Sequence, residues 1–547
     1  MAYFLFPAAG TTLALVPSSI VERITMANKS LFASLAGCFI TPANTVNEAG
    51  GAAYALSPKE QLAQLAVTGC LSTTFYATAE SQLAKVIELA TAKNVSPEFV
   101  AKTAVYARRH AFMKDMPALL CAVLASWQPD LLERTFNAVI NDAKMLRNFV
   151  QIIRSGAVGR KSLGSLPKRL VKNWIASRTN EQLLRGSVGA QPSLADVIRM
   201  VHPKPADKSQ AALFAYLIGR DHDPDALPEL VKQLEAFRSG ASPEVPDVPF
   251  QLLTSTELST QQWKQIARQA PWQTLRMNLN TFLRHGVLED AALVNGIVER
   301  LTDKAAIRES RVFPYQLMTA FLAADKSLPP LIRLALQDAM EIATDNVPAL
   351  TGKVCVCLDV SGSMHSAITG HRKGSTSAAR CVDVASLFAA CIARKNPTAT
   401  IIPFKENIIQ DFQINPRDSV MTNAQKMSSL PPGGTDCAAP LRHLNSTRAN
   451  ADTVIFVSDN ESWISPAQNR GTATMAEWTK FKRRNPSARL VCIDLQPYTT
   501  TQAVDTGSGD VLNVGGFSDE VFNVVSRFAR GEDGAQSWIK QIEAVRF

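Results

Sequence analysis

The chain has 547 residues, with 57 Lys+Arg against 48 Asp+Glu, a formal net charge of +9, 46% apolar residues and 19% charged residues. This balance excludes a disordered chain and gives enough length for two to four domains. Residues 144–204 alone hold 12 basic and 2 acidic side chains, so one window exceeds the net charge of the whole chain and calls for an anionic partner.

The first segment, MAYFLFPAAGTTLALVPSS, is apolar, but no basic residue precedes Arg23, and Pro7, Gly10 and Pro17 interrupt it. It is too broken to span a bilayer and lacks the charged start of a signal peptide. Residues 1–25 read as a poorly ordered extension, or Met26 is the true start. No later stretch reaches membrane-spanning length without charges. The nine cysteines, Cys38, Cys70, Cys121, Cys355, Cys357, Cys381, Cys391, Cys437 and Cys492, are irregularly spaced, most of them in apolar runs. They read as buried free thiols in a reducing, cytoplasmic setting. No C-x-x-C pair is present to complete a zinc site.

From about residue 58 to 350 helix follows helix. SPKEQLAQLAV opens with Ser57 as N-cap, Pro58 at the first helical position and Glu60 closing a capping box. AESQLAKVIELATAK, SPEFVAKTAVYARRHA and MPALLCAVLASW keep apolar spacing of 3.6 residues. Period-2 runs of β-branched residues are absent, so residues 26–350 read as an all-α, solenoid-like array of helix pairs, HEAT-like although no strict repeat is visible.

Residues 143–180 contain nine Lys/Arg and no Asp or Glu. A helix beginning at Pro167 and running to about Arg178 places Leu166, Leu170, Val171, Trp174 and Ile175 on one face and Lys168, Arg169 and Lys172 on the other. An unpaired cationic face suits a phosphate backbone. Arg160 and Lys161 precede it in the turn GAVGRKSLG. Arg185, Arg199, His202 and Lys204 extend the basic bias, and Arg108, Arg109 and His110 are possible additions. A membrane-surface helix would need a broader exposed apolar face. GAVGRKS has the wrong spacing, and the wrong preceding element, for a phosphate loop, which argues against nucleotide hydrolysis.

From Thr351-Gly352 the texture changes. VCVCLDV, ATIIPF, DTVIFVSD and ARLVCIDL read as buried strands alternating with helices, including STSAARCVDVASLFAACIARK and stretches near 436–445 and 475–484. Residues 351–547 therefore form an α/β, Rossmann-like domain with a mostly parallel sheet. Asp359, Ser361 and Ser363 lie where the first of these strands ends, Thr435 follows the turn PPGG, and Asp459 ends another strand. Parallel strands bring these ends to one edge. Two carboxylates and three hydroxyls suit Mg²⁺ or another hard divalent cation, with one position left for an incoming carboxylate or phosphate oxygen. Gly362 and Gly434 are expected to allow close backbone approach. These five residues resemble the metal-ion-dependent adhesion site of von Willebrand factor A domains, which implies ligand binding through the metal rather than catalysis.

A basic helical array followed by such a domain is similar to the Ro autoantigen family of TROVE-domain RNA-binding proteins. The resemblance runs from about residue 26 to the end, through NEAGGAAYALS, GRKSLGSLPKRLVKNW, VIRMVHPKP, RVFPYQLMTAF, DVSGSM, PPGGTDC and FVSDNESW. It implies a monomeric ring of HEAT-like helices closed by the A domain. It also implies small noncoding Y RNA on the basic outer surface, misfolded RNAs entering the hole by single-stranded 3′ ends, and an exoribonuclease as partner. His202 matches a position implicated in Y RNA contact, whereas RGSVGAQPS before it is poorer in basic residues than the family pattern, leaving Arg185. Two other readings stay open. One is a metal-dependent interaction scaffold without RNA. The other is a hydrolase using the metal, with His365 nearby but in no general-base context.

Overall fold

The computed structural model describes residues 40–547 except 70, 311, 313, 371–378, 464–470, 517–518 and 533–536. The expected extension, residues 1–25, lies outside the described residues, as do Cys38 and Cys70.

Short polar caps cut the first part of the chain into helices. Ser57 accepts from the backbone N–H of Glu60, and Glu60 Oε2 accepts from Ser57 N at 2.8 Å, which starts the helix Pro58–Thr68 as a capping box. Thr179, Ser193 and Ser259 begin later helices in the same way, and Ser96, Asp142, Asp207, Asp290 and Asp303 begin others as N-caps whose side chains accept from the backbone N–H three residues on. The basic helix spans Ser165–Ala176, buries Pro167, Leu170, Val171, Trp174 and Ile175, and fixes its roll with a Trp174 Nε1–H to Ile140 carbonyl bond of 2.6 Å.

The α/β part is built on five parallel strands in the order β4-β3-β5-β6-β8, with β3 at Val354–Asp359, β4 at Thr400–Phe404, β5 at Thr453–Ser458, β6 at Arg489–Asp494 and β8 at Val511–Gly515. β3 and β5 are buried along their whole length, as expected for a sheet covered on both faces. The long helix Cys381–Lys395 packs against β3.

A second, small sheet joins the two ends of the chain. β1 (Thr45–Val46) pairs with β2 (Ala52–Ala55), and β2 pairs with β7 (Thr500–Thr501) in the register Tyr54 to Thr501. The sequence reading missed all three.

Both ends of the helical array dock on the α/β domain, and this closes the HEAT-like array into a ring. At the first seam, Lys59 pairs with Glu543 at 2.7 Å, Gln64 Nε2 donates to Asp494 at 3.3 Å, and Tyr106 Oη donates to Gln541 at 3.2 Å. At the second seam, the helix Pro330–Ala343 contacts the helix Val420–Ser428, and Arg394 Nε donates to Glu341 at 3.1 Å. Tyr315 packs there with Val384, Leu387 and Phe388. Among the described residues no helix is long and apolar enough to cross a membrane. Cys121, Cys355, Cys357, Cys381, Cys391, Cys437 and Cys492 are free and buried.

Candidate functional site

Topology assembles the five oxygen-bearing residues. Asp359 is the last residue of β3, Asp459 follows the last residue of neighbouring β5, and both strands run parallel, so the two carboxylates emerge at one edge. Asp359 Oδ1 accepts from Ser361 N at 2.8 Å, and its Oδ2 accepts from Ser458 Oγ at 2.6 Å. The hydroxyls of Ser361 and Ser363 are 3.3 Å apart, and Ser363 also bonds the Asp459 carboxylate. Gly362 N donates to the Gly433 carbonyl at 2.8 Å, drawing the Thr435 loop against the Asp359 loop. The Thr435 carbonyl accepts from Trp463 N at 3.3 Å, which ties in the Asp459 loop. All five side chains are buried.

Close approach in this loop pair falls at Gly433. A Cβ there would lie 2.6 Å from the Glu406 carboxylate, whereas one on Gly362 would meet only the Gly433 carbonyl at an ordinary 3.5 Å. The expectation for Gly362 therefore moves to Gly433, because Glu406 caps this loop, accepting from Gly434 N at 2.8 Å.

Burial crowds acidic groups at this edge. Burial, then the Asp459 charge, pushes Asp359 up to about 7. Burial raises Asp459 as well. Glu461 is pushed up to about 8 by burial and by Asp459. Asp494 is raised by burial, then by Asp459 and Glu461. Among the described residues none of these four carboxylates has a Lys or Arg ion pair. Buried anions without counter-charge are costly, and a bound divalent ion would remove that cost. The donor set fits a hard cation: Asp359 and Asp459 supply charge, and Ser361, Ser363 and Thr435 supply neutral oxygens. Among the described residues no three His, Cys, Asp or Glu side chains form a metal cluster, so a cation held here would need the hydroxyls.

The helical array reaches this edge, which the sequence did not reveal. The Tyr76 hydroxyl bonds Ser363, and burial followed by the Asp459 charge pushes the phenol up to about 12. Tyr76 N donates to Tyr498 Oη at 3.3 Å, and Gln82 Nε2 holds the same loop through the Ser72 carbonyl at 2.9 Å. From the β1–β2 hairpin, Ala49 N donates to Glu461 Oε2 at 3.1 Å and Asn47 Nδ2 to the Ser462 carbonyl at 2.8 Å. His365 is engaged elsewhere: its Nδ1 lies 2.9 Å from Arg380 Nη1, and burial followed by the Arg380 charge lowers its pKa.

The basic residues divide into two groups. Arg160 is structural, donating to the carbonyls of Ala125, Ser162 and Leu163. Arg169 pairs with Glu133 at 2.7 Å, Arg185 with Glu181 and Asp247, and Arg199 with Asp196 at 3.3 Å. Their partners Glu133 and Asp247 lie outside the basic window. The side chains of Lys161, Lys168, Lys172, His202 and Lys204 have no ion pair or hydrogen bond among the described residues. Lys161, His202 and Lys204 are exposed, and Lys168 and Lys172 are half-buried. His202 ends the helix Leu194–Val201 in the left-handed region at φ +51°, a strained position for a residue with a Cβ.

Residues 353–529 match the Ro60 vWA domain and residues 244–352 match the TROVE domain. The chain is 27% identical over 526 residues to the RNA-binding protein RO60 of Deinococcus radiodurans, covering 89% of this chain and 95% of that protein. It is 28% identical over 279 residues to the RNA-binding protein RO60 of Caenorhabditis elegans, covering 48% of this chain and 40% of that one. The crystal structure of the Deinococcus radiodurans RO (RSR) protein superposes with a TM-score of 0.60 at 24% identity, over 87% of this chain and all of that one, and so shares the fold. With a TROVE match leading directly into a Ro60 vWA match, and with a relative of that name aligned over 89% of the chain, the chain belongs to the Ro family.

Proposed function

We propose that this chain is a non-enzymatic RNA-binding protein. It would hold small noncoding RNA of the Y type, and the single-stranded 3′ ends of misfolded RNA, for quality control or processing beside an exoribonuclease in the cytoplasm. The observation that carries this reading is the set of lysines without a carboxylate partner, Lys161, Lys168, Lys172 and Lys204, with the exposed His202 beside them, in a chain whose relatives are named RNA-binding proteins. Lysine ammoniums neutralise phosphates as point charges and release counterions. Asp359, Ser361, Ser363, Thr435 and Asp459 would hold Mg²⁺, which supplies a Lewis-acidic position for a carboxylate or phosphate oxygen of a ligand.

The test is the salt dependence of binding to a small structured RNA. Replacing Lys161, Lys168 and Lys172 together by Ala removes three phosphate contacts and should lower the slope of log K against log salt by about 2–3. Arg169→Ala should change it less, because Glu133 already neutralises that guanidinium. Unchanged affinity and slope in the triple variant would falsify the assignment.

A further inference from the structure

A cleft of about 320 Å³ lies between the helices Trp272–Met277 and Leu279–Arg284 on one side and Pro314–Ala323 on the other. No acidic residue lines it; Arg276 does, and so do Tyr315, Gln316, Ala320 and Ala323. Much of this wall belongs to the stretch RVFPYQLMTAF, to which neither the metal site nor the basic helix gives a role.

Arg276 is only 8% exposed. Its Nη1 donates to the Gln316 carbonyl at 2.7 Å and its Nη2 to Gln273 Oε1 at 2.9 Å, while its buried Nε has no partner. No carboxylate balances the charge, and burial lowers its pKa. Arg300, by contrast, donates to the carbonyls of Ala267, Arg268 and Ala270 and so caps the end of the helix Thr260–Gln269. The carbonyl that Arg276 meets lies in the first turn of a helix, so capping does not explain it. Two further arginines do not line the cleft but bond residues that do, Arg284 also donating to Thr281 Oγ1 and Arg333 also lying over the Phe321 ring. Arg284 Nε donates to the Asn280 carbonyl at 3.4 Å and Arg333 Nη1 to the Ala324 carbonyl at 3.5 Å, and Asn280 and Ala324 both line the cleft. Among the described residues none of these three arginines forms an ion pair. Asp325 is the acid beside the rim, and its carboxylate accepts from Ser327 N and Oγ.

Buried charges are ordinarily paired. A buried guanidinium without an anion, joined by two more arginines beside an open cleft without acids, lacks its counter-ion. We propose that the cleft binds the phosphate of a single nucleotide through Arg276, Arg284 and Arg333. The base lies on the small-residue face of Ala320 and Ala323 beside Met277, which is 71% exposed. The volume stands at the low end of ligand cavities, about 300–1,000 Å³, which suits one nucleotide and not a duplex. This inference rests on the RNA-binding reading for its RNA form. The terminal nucleotide of a single strand and a free nucleoside monophosphate share the required chemistry.

The experiment uses the full chain, a short fluorescent oligouridylate followed by anisotropy, and adenosine monophosphate followed by calorimetry. Arg284→Ala with Arg333→Ala, the rim pair, changes only side chains beside the cleft, and Arg276→Met probes the floor, with circular dichroism confirming the fold. The rim pair should weaken the oligonucleotide about tenfold and lower its salt slope by about 1.4, two single-strand contacts. A 4-thiouridine at the 3′ end should crosslink within residues 272–284 or 314–324. If only adenosine monophosphate binding falls, the cleft takes a free nucleotide and not an RNA end. If neither ligand responds to the rim pair, the inference is overturned. If the lysine variant weakens structured RNA while the rim pair leaves both ligands unchanged, the cleft fails and the RNA-binding reading stands. If no variant affects any RNA, that reading fails with it.

Discussion

Cation binding at Asp359 should compete with protons. The carboxyl lies at about 7 here against an ordinary 3.8, so below neutrality a cation must displace a proton to be held by that oxygen. One displaced proton makes the apparent Kd rise toward tenfold per pH unit well below 7, about fifteenfold from pH 7 to 5.5. Glu461, at about 8 with Asp459 as a cause, carries some of the dependence above neutrality. Calorimetric titration with Mn²⁺ and Mg²⁺ at pH 5.5, 6.5, 7.5 and 8.5 reads the Kd, and repeating it in buffers of different ionisation enthalpy counts the protons released. A Kd that stays flat between pH 5.5 and 7 would refute the protonated Asp359, and the absence of any binding at pH 8.5 would refute the donor set.

The same shift fixes a stability trend of known sign. A carboxyl raised in the folded state keeps its proton between about pH 4 and 7, where the unfolded chain has lost it. Its stabilisation is therefore complete below the unfolded value and is lost as pH rises through the folded value. For Asp359 alone the loss is on the order of 4 kcal/mol. Without divalent ions, denaturant unfolding of the α/β domain should show falling stability from pH 4 to 8. Saturating Mg²⁺ should flatten that fall, since a ligand at about 100 times its Kd adds about 2.7 kcal/mol and its Kd tightens as pH rises. Asp359→Asn should remove the Asp359 share of the slope and the cation binding.

Two further outcomes test the seams. A Cβ on Gly51 would lie 2.0 Å from the Ser462 carbonyl, so Gly51→Ala should shift the β1–β2 hairpin off the loop behind Asp459 and lower stability by about 1–3 kcal/mol, read as a fall in Tm. At the other seam, Glu341→Gln weakens the bonds to Arg394 and to Val420 N, at a cost of about 1–3 kcal/mol, and should raise hydrogen exchange in the helix Val420–Ser428 while leaving Pro58–Thr68 unchanged.

Legibility in the sequence followed the range of the interaction. β3, β5 and β6 were readable because strands buried on both faces are continuous apolar runs, and parallel topology then placed Asp359 and Asp459 at one edge without any side-chain detail. The Ser57 cap and the apolar face of Ser165–Ala176 were readable because their partners lie within four residues. β2 and β7 were not, since their pairing joins Tyr54 to Thr501 across strands of four and two residues that carry no periodic pattern. Tyr76 was missed for the same reason: it stands in a loop, and its partner Ser363 belongs to the other domain. Glu461 and Asp494 were written in the sequence beside the strand ends but matched no ligand pattern, and only burial with Asp459 exposes their charge problem.

The charge count over-read the arginines for a related physical reason. A window without acids looks unpaired in sequence, yet Arg169 and Arg185 take Glu133 and Asp247 from outside it, and Arg160 turns inward to three carbonyls. Arginine's planar fork finds such partners readily, whereas a lysine ammonium on a flexible stem stays hydrated. Among the described residues the free cations of the window are thus Lys144, Arg154, Lys161, Lys168, Lys172 and Lys204, lysines for the most part. Lysines meet phosphates as isotropic charges and discriminate poorly among bases, so this surface is suited to recognising the path of an RNA backbone by shape and charge. Arg276 lines the one-nucleotide cleft and Arg284 and Arg333 bond residues that line it, none of them with an ion pair among the described residues, and a guanidinium can contact a phosphate directionally. The two basic features therefore differ in kind: the lysine face should respond mainly to salt and to RNA shape, and the arginine cleft to whether a free nucleotide or strand end is present.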